Sequence, residues 1–320
     1  MLLVEYAIEP EALSSWESFR YISDQCGISK GRLISEFPND WCKAVLHATI
    51  DFKPIARSKV IIALKRLKTN ALINMYRDFD TEKDWQSNAI ESNKKFPFHA
   101  IIAQNPKSSM LLNIESLDES DPKWNVPREL PVLRKADDLA LASSYLLMMA
   151  KETIFIDPYF SPDDFRCRNS LEKFLNNISF PIRRFEFHIA KRTSGSAEHF
   201  EDMLKRKIIP MLTCNCEIPS EQEFYFIRWS ELPSGDGEKL HARYLLTDKG
   251  GLRYEHGLAE GEDSQTTDVS LLDELLFERR RTQYSAENDG CFRFVDGWRI
   301  ENGKIEPITI ENGEWIISSS

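Results

Sequence analysis

Along the first third of the chain, short apolar runs alternate with stretches whose apolar residues recur at helical spacing. Val4-Glu5-Tyr6-Ala7-Ile8 predicts a strand. Glu11 to Gln25 predicts a helix, with Leu13, Trp16, Phe19, Tyr21 and Ile22 forming a loose apolar face. Pro54 suits the first turn of another helix reaching Leu67, where Ile55, Val60, Ile61, Leu64 and Leu67 mostly share a side. Phe98 to Ala103 predicts a further strand. Residues 111–131 then break every pattern: they are acidic, hold three prolines and sustain no period.

Beyond that break the pattern becomes a regular alternation. A strongly apolar helix is predicted over Asp137–Lys151, and a β-branched strand over Thr153–Ile156 that ends in Asp157-Pro158-Tyr159-Phe160. Helix Ser170–Ile178, strand Phe185–Ala190, helix Ala197–Ile208 and strand Glu223–Trp229 follow. Strands Leu240–Leu246 and Leu252–Glu255 and helix Val269–Tyr284 complete the series. Such alternation is the mark of an α/β layer fold. Asn302-Gly303 and Asn312-Gly313 read as hairpin turns. The expected organisation is a mixed α/β N-terminal domain over 1–115 and a linker over 116–133. An α/β (α+β) domain over 134–300, with helices around a mostly β core, and a C-terminal hairpin or tail over 301–320 complete it.

Composition narrows the class. Apolar residues make up 42% and charged residues 29% of 320, which suits a globular chain and not a disordered one. The opening residues lack a basic segment and a small-residue cleavage site, and no apolar stretch reaches the ~20 residues of a membrane helix. A cytoplasmic protein without a membrane span is the expectation. Six scattered cysteines read as reduced thiols, and Cys214-Asn215-Cys216 lacks the further ligands a zinc site needs. Neither a metal nor a cofactor is expected. The net charge of −10 argues against coating nucleic acid by bulk electrostatics, though not against a local basic groove. Lys59, Lys65, Arg66 and Lys68 read as a solvated helix face, with nucleic-acid contact as the alternative. Arg183-Arg184, Lys191-Arg192, Lys205-Arg206-Lys207 and Arg279-Arg280-Arg281 read the same way, or as the frame of an anionic ligand. Glu260, Glu262, Asp263 and Asp268 match no calcium-loop spacing.

The sharpest chemical signal is Lys239-Leu240-His241-Ala242-Arg243-Tyr244-Leu245-Leu246-Thr247-Asp248. On a strand His241 and Arg243 share a face. A guanidinium can hold a phosphate by two parallel hydrogen bonds while an imidazole attacks or transfers a proton. Asp248, at the strand's end, is expected to orient the histidine.

These residues resemble the His-x-Lys-x4-Asp signature of the phospholipase D superfamily, with Arg243 in place of lysine. Ile156-Asp157-Pro158-Tyr159-Phe160 resembles the first strand of such domains. The resemblance implies His241, Arg243 and Asp248 as catalytic candidates, with Asp157, Tyr159, Gly257 and Glu260 beside Arg243 around a ligand. Gly257-Leu258-Ala259-Glu260 stands where the family has a Gly-Ser-x-Asn-like element, and a single motif copy is present, whereas the family's covalent mechanism uses two. The run from His241 to Leu258 is similar to the phospholipase D-like C-terminal domain of MIT-domain proteins, a non-catalytic phosphoinositide-binding branch.

Three readings follow. The first is a degenerate phospholipase D-like module that binds a phosphate ester on nucleic acid or another phosphorylated ligand. The second is a homodimeric, metal-independent phosphodiesterase or nuclease with His241 as nucleophile. The third is a scaffold with a vestigial site that docks protein partners. The general likeness is to bacterial proteins of multi-gene conflict or phage-defence systems, which implies partners from the same system and favours nucleic acid as ligand.

Overall fold

The computed structural model describes residues 1–178, 184–214, 216, 222–232, 239–288 and 290–318. Arg183 and Asn215, singled out above, lie outside them. The chain divides into two compact units, Leu2–Arg128 and Glu129–Ser320.

The N-terminal unit runs β1 (Val4–Ile8), α1 (Trp16–Gln25), β2 (Arg32–Ser35), α2 (Trp41–Ala48), α3 (Pro54–Asn70), β3 (Leu72–Ile73), α4 (Trp85–Lys95), β4 (Ala100–Ala103) and β5 (Leu111–Asn113). Its strands are parallel throughout, in the order β3-β2-β1-β4-β5 of a doubly wound sheet. A central parallel strand is covered on both faces, and β1 is buried along its whole length. Tyr6 and Ile8 enter one apolar cluster with Phe19, Trp41 and Leu64, and Ala7 enters another with Phe37, Phe98 and Ile101. Glu5 survives in this strand because Arg77 meets it fork to fork, Nε to Oε1 at 3.1 Å and Nη2 to Oε2 at 2.5 Å. The helix expected over Glu11–Gln25 divides into a turn at Pro10–Leu13 and α1, whose first turn is capped by the Ser15 hydroxyl accepting from the Ser18 N–H.

The linker expected over 116–133 is corrected. Leu117, Trp124 and Val126 are buried in the N-terminal core, and Trp124 Nε1 donates to the Tyr21 hydroxyl at 2.8 Å. Three apolar anchors are enough to pack an irregular, acidic segment, and the division falls at Arg128/Glu129.

The C-terminal unit runs β6 (Glu129–Leu133), α5 (Ala136–Ala142), α6 (Ser144–Met149), β7 (Glu152–Ile156), α7 (Phe165–Asn176), β8 (Arg184–Ala190), α8 (Ala197–Met203), α9 (Ile209–Cys214) and β9 (Glu223–Glu231). It continues through β10 (Arg243–Thr247), β11 (Gly251–Tyr254), β12 (Thr266–Leu271), α10 (Glu274–Gln283), β13 (Phe292–Glu301), β14 (Lys304–Glu311) and β15 (Glu314–Ile317). One mixed sheet holds all ten strands in the order β15-β14-β13-β9-β8-β7-β10-β11-β12-β6. β7, β8 and β9 are parallel, and the remaining pairings are antiparallel. Both units are α/β. The tail expected at 301–320 is part of this sheet, its two Asn-Gly turns having φ between +50° and +78° at all four residues.

Three predicted helices are corrected. Val269–Leu271 closes β12, whose exposed and buried positions alternate, and Asp273 caps α10 by accepting from the Leu276 N–H. The helix expected from Asp137 breaks at Ser143 into α5 and α6. The one from Ala197 continues to Cys214 through a π-helical turn at Leu204–Ile208, just before Pro210, which has no N–H to give the preceding turn.

The Arg77 and Glu5 side chains are 3% and 1% exposed. Arg77→Ala strands a buried carboxylate and is expected to cost about 3–5 kcal/mol in urea denaturation, while Glu5→Leu combined with Arg77→Met costs less. Equal losses would refute the pairing as the reason Glu5 is tolerated.

Candidate functional site

The parallel pairing of β7 with β8 brings their C-terminal ends to one edge of the sheet, and antiparallel β10 brings its N-terminal end there. β10 begins at Arg243, two residues later than His241, for a local reason. Tyr244 pairs with Ile156, so Arg243 falls opposite Asp157 and Ala242 opposite Pro158, which has no N–H to continue the ladder. The Asp157 N–H is spent on the His188 carbonyl at 3.1 Å. His241 therefore sits in a turn and not on the strand.

Asp157 is 6% exposed, against an apolar wall of Phe155, Phe160, Phe174, Phe187 and Leu258. Its Oδ1 accepts the Tyr159 N–H at 3.0 Å and its Oδ2 the Leu258 N–H at 3.1 Å. Burial pushes its carboxyl above the ordinary carboxylate range; those two N–H groups and the charges of Arg243 and Arg134 pull the other way without cancelling it. Gly257 has φ +103°, and a Cβ there would lie 3.5 Å from Asp157 Oδ2 and 3.8 Å from Arg243 Nε. The conformation calls for glycine; the two distances are ordinary contacts.

Tyr159 is the hub above this floor. Its hydroxyl lies 2.8 Å from His241 Nδ1, and the Arg243 guanidinium sits 4.7 Å over its ring. Arg192 comes from the turn after β8. Arg192 is held by Glu231 and donates to the Leu240 carbonyl at 2.5 Å, which fixes the turn carrying His241. Arg243 Nη1 donates to the Glu255 carbonyl at 3.1 Å, and its buried Nε has no hydrogen-bond partner among the described residues.

The direction of the bond between the Tyr159 hydroxyl and His241 Nδ1 follows the ring's tautomer: an Nε2–H ring accepts the phenolic proton, and an Nδ1–H ring donates to the oxygen. The first form can donate to a phosphate oxygen through Nε2, and the second keeps an Nε2 lone pair.

Two expected members stand apart. Asp248 lies at the far end of β10, roughly 16 Å along the strand at ~3.3 Å per residue, where Oδ1 accepts the Lys151 N–H at 2.7 Å. Orienting His241 falls to Tyr159 instead, because the strand that carries the motif holds its two ends apart. Glu260 accepts from Asn169 Nδ2 at 2.9 Å and holds the loop after Gly257 to α7. Sequence reasoning saw Arg192 as half of a dibasic run and did not single out Arg134, whose Nη2 donates to the Ala259 carbonyl at 3.2 Å. Nothing in the local sequence marks either one, since parallel strand pairing is what carries Arg192 to the motif. Cys214 is exposed and Cys216 buried, and burial pushes the Cys216 thiol up to about 12.

No family model and no curated protein matches the chain. Among solved structures it is similar to TrmBL2, an archaeal chromatin protein described as showing a novel mode of DNA binding. Identity is 17%, the TM-score is 0.26, and the match spans about half of each chain, 52%. At that score the likeness transfers neither fold nor function.

The Tyr159–His241 contact predicts that nitrogen-15 spectra of the His241 ring change in Tyr159→Phe. Identical ring spectra in the two proteins would refute the contact. Asp157 predicts a pH dependence. Its folded-state pKa lies above the unfolded one, so its stabilising contribution is complete below the ordinary carboxylate range and is lost as pH rises through the raised value. Relative to Asp157→Asn, the unaltered chain should lose stability across that window in urea denaturation. A difference that stays flat or rises with pH would contradict the burial argument.

Proposed function

We propose that the C-terminal unit binds a phosphate ester at the sheet edge that carries Tyr159, Arg192, His241 and Arg243, as a phospholipase D-like module that holds its ligand without turnover. The observation that carries this reading is the state of Arg243. Nη1 is anchored on the Glu255 carbonyl and the guanidinium lies over the Tyr159 ring, while Nε is buried without a hydrogen-bond partner among the described residues. A guanidinium fixed in this way is a preorganised cation for a phosphate oxygen. The reading without turnover is supported by the place of Asp248 at the far end of β10, so that His241 pairs with Tyr159 and not with that carboxylate.

The shared ligand chemistry is the phosphate ester; a nucleic-acid strand and a phosphoinositide headgroup both present it. Titration with a short single-stranded oligonucleotide and with a soluble inositol phosphate distinguishes the two sources. Arg243→Ala is expected to weaken the bound one by about 10–100-fold, the loss of a charge-assisted pair of hydrogen bonds worth ~1.5–3 kcal/mol. Arg243→Lys retains part of the affinity, because a point charge replaces a fork. A lowered melting temperature in Arg243→Ala with unchanged binding of both probes would refute the proposal. Hydrolysis of the oligonucleotide that disappears in His241→Ala would refute the absence of turnover.

A further inference from the structure

Helix α3 has two apolar faces, and the fold uses one. Val60, Leu64 and Leu67 are buried against the N-terminal core. With 3.6 residues per turn, Ile55 and Ile62 point roughly 150–170° away from that line, two turns and ~10 Å apart. They are 76% and 68% exposed. Lys59 and Arg66 each follow one of them by four residues, so every outward isoleucine has a cation beside it. Ile50 and Ile61, at 54% and 41% exposure, extend the patch. Of the five exposed isoleucines among the described residues, four fall between positions 50 and 62, which makes this a patch and not scatter.

The charge is equally one-sided. α3 carries Arg57, Lys59, Lys65, Arg66 and Lys68 and no acidic residue, in a chain whose net charge is −10. A groove of about 270 Å³ between α1 and α3 continues the same character, with Trp16, Phe19, Ile62 and Ala63 beside Arg20, Lys59 and Arg66. Asp24, on its rim, is shared by Arg20 and Arg66.

We propose that α3 is a membrane-surface contact that seats the chain on an anionic lipid bilayer. Ile55 and Ile62 enter the boundary between headgroups and acyl chains, and the lysines and arginines meet the lipid phosphates and carboxylates. A nucleic acid would satisfy the cations and leave the isoleucines against hydrated phosphates. A second copy of α3 would bring two wholly basic helices together. No described helix is long and apolar enough to cross a membrane, so the contact lies at the surface.

Flotation of the full chain with vesicles tests this. The chain is expected to rise with vesicles of mixed phosphatidylserine and phosphatidylcholine, to stay behind with phosphatidylcholine alone, and to be released by salt. Ile55→Gln with Ile62→Gln should weaken flotation by about ten-fold or more without lowering the melting temperature, since both side chains are solvent-facing. Lys59→Gln with Arg66→Gln should do the same and flatten the salt dependence. Arg243→Ala should float unchanged, which separates this surface from the ester site. Four results would overturn the proposal: no flotation, full flotation of the isoleucine variant, loss of flotation in Arg243→Ala, or a single-stranded oligonucleotide bound through these α3 residues.

Discussion

The buried carboxyl of Asp157 ties two loops that are about a hundred residues apart in sequence, and the candidate site exists because it does. One oxygen holds the Tyr159 N–H on the turn after β7, and the other holds the Leu258 N–H after Gly257. The first bond sets where the tyrosine ring stands, and hence where Arg243 and His241 can rest. The second fixes the loop just after Gly257. Burial makes the carboxyl's charge unfavourable, and the two N–H groups are what it obtains in return. An anion seated nearby would raise its proton affinity further, so ligand binding and proton uptake at Asp157 are coupled with the same sign.

Around that tie, the sheet controls alignment. Phe155, Phe187 and Phe226 stack in register across β7, β8 and β9, with ring centroids 4.9 and 4.7 Å apart. A slip by one residue would turn this ladder to the opposite face. The register it enforces carries Asp157, Arg192 and Glu231 to one edge. Arg228, whose side chain is fully buried, secures the next layer. It grips Asp296 with two bonds of 2.6 Å and donates to the carbonyls of Gly195 and Ser196 at 3.0 and 3.3 Å. Those carbonyls follow the turn bearing Arg192, so a residue remote from the site helps position a cation within it.

The sequence exposed what local chemistry encodes and hid what strand pairing creates. Central strands such as Val4–Ile8 and Phe185–Ala190 were legible as β-branched or aromatic runs, and the Asn-Gly turns as hairpins. Val269–Leu271 misled because its apolar spacing also fits the first turn of the helix after it, and β12 needs β11 and β6 as partners to exist. The segment around Trp124 read as a linker because acidity and proline say nothing of where a single tryptophan goes. At the site, His241, Arg243, Asp157 and Tyr159 were visible together. Their wiring was not: Tyr159 in place of Asp248 beside His241, and Arg192 brought from another strand.

Arginine at position 243 is the residue of the candidate site with the most direct physical consequence. A lysine ammonium could reach the Glu255 carbonyl or approach the Tyr159 ring, but as a single point charge. The guanidinium does both at once, with Nη1 on the carbonyl and the group over the ring, and its Nε is buried without a hydrogen-bond partner among the described residues. Held this way, the group is a preorganised cation for a phosphate oxygen. Preorganisation of this kind serves binding and transition-state stabilisation alike, so what distinguishes the site is the other contact: His241 rests on the Tyr159 hydroxyl, while Asp248 is spent on the Lys151 N–H at the far end of β10.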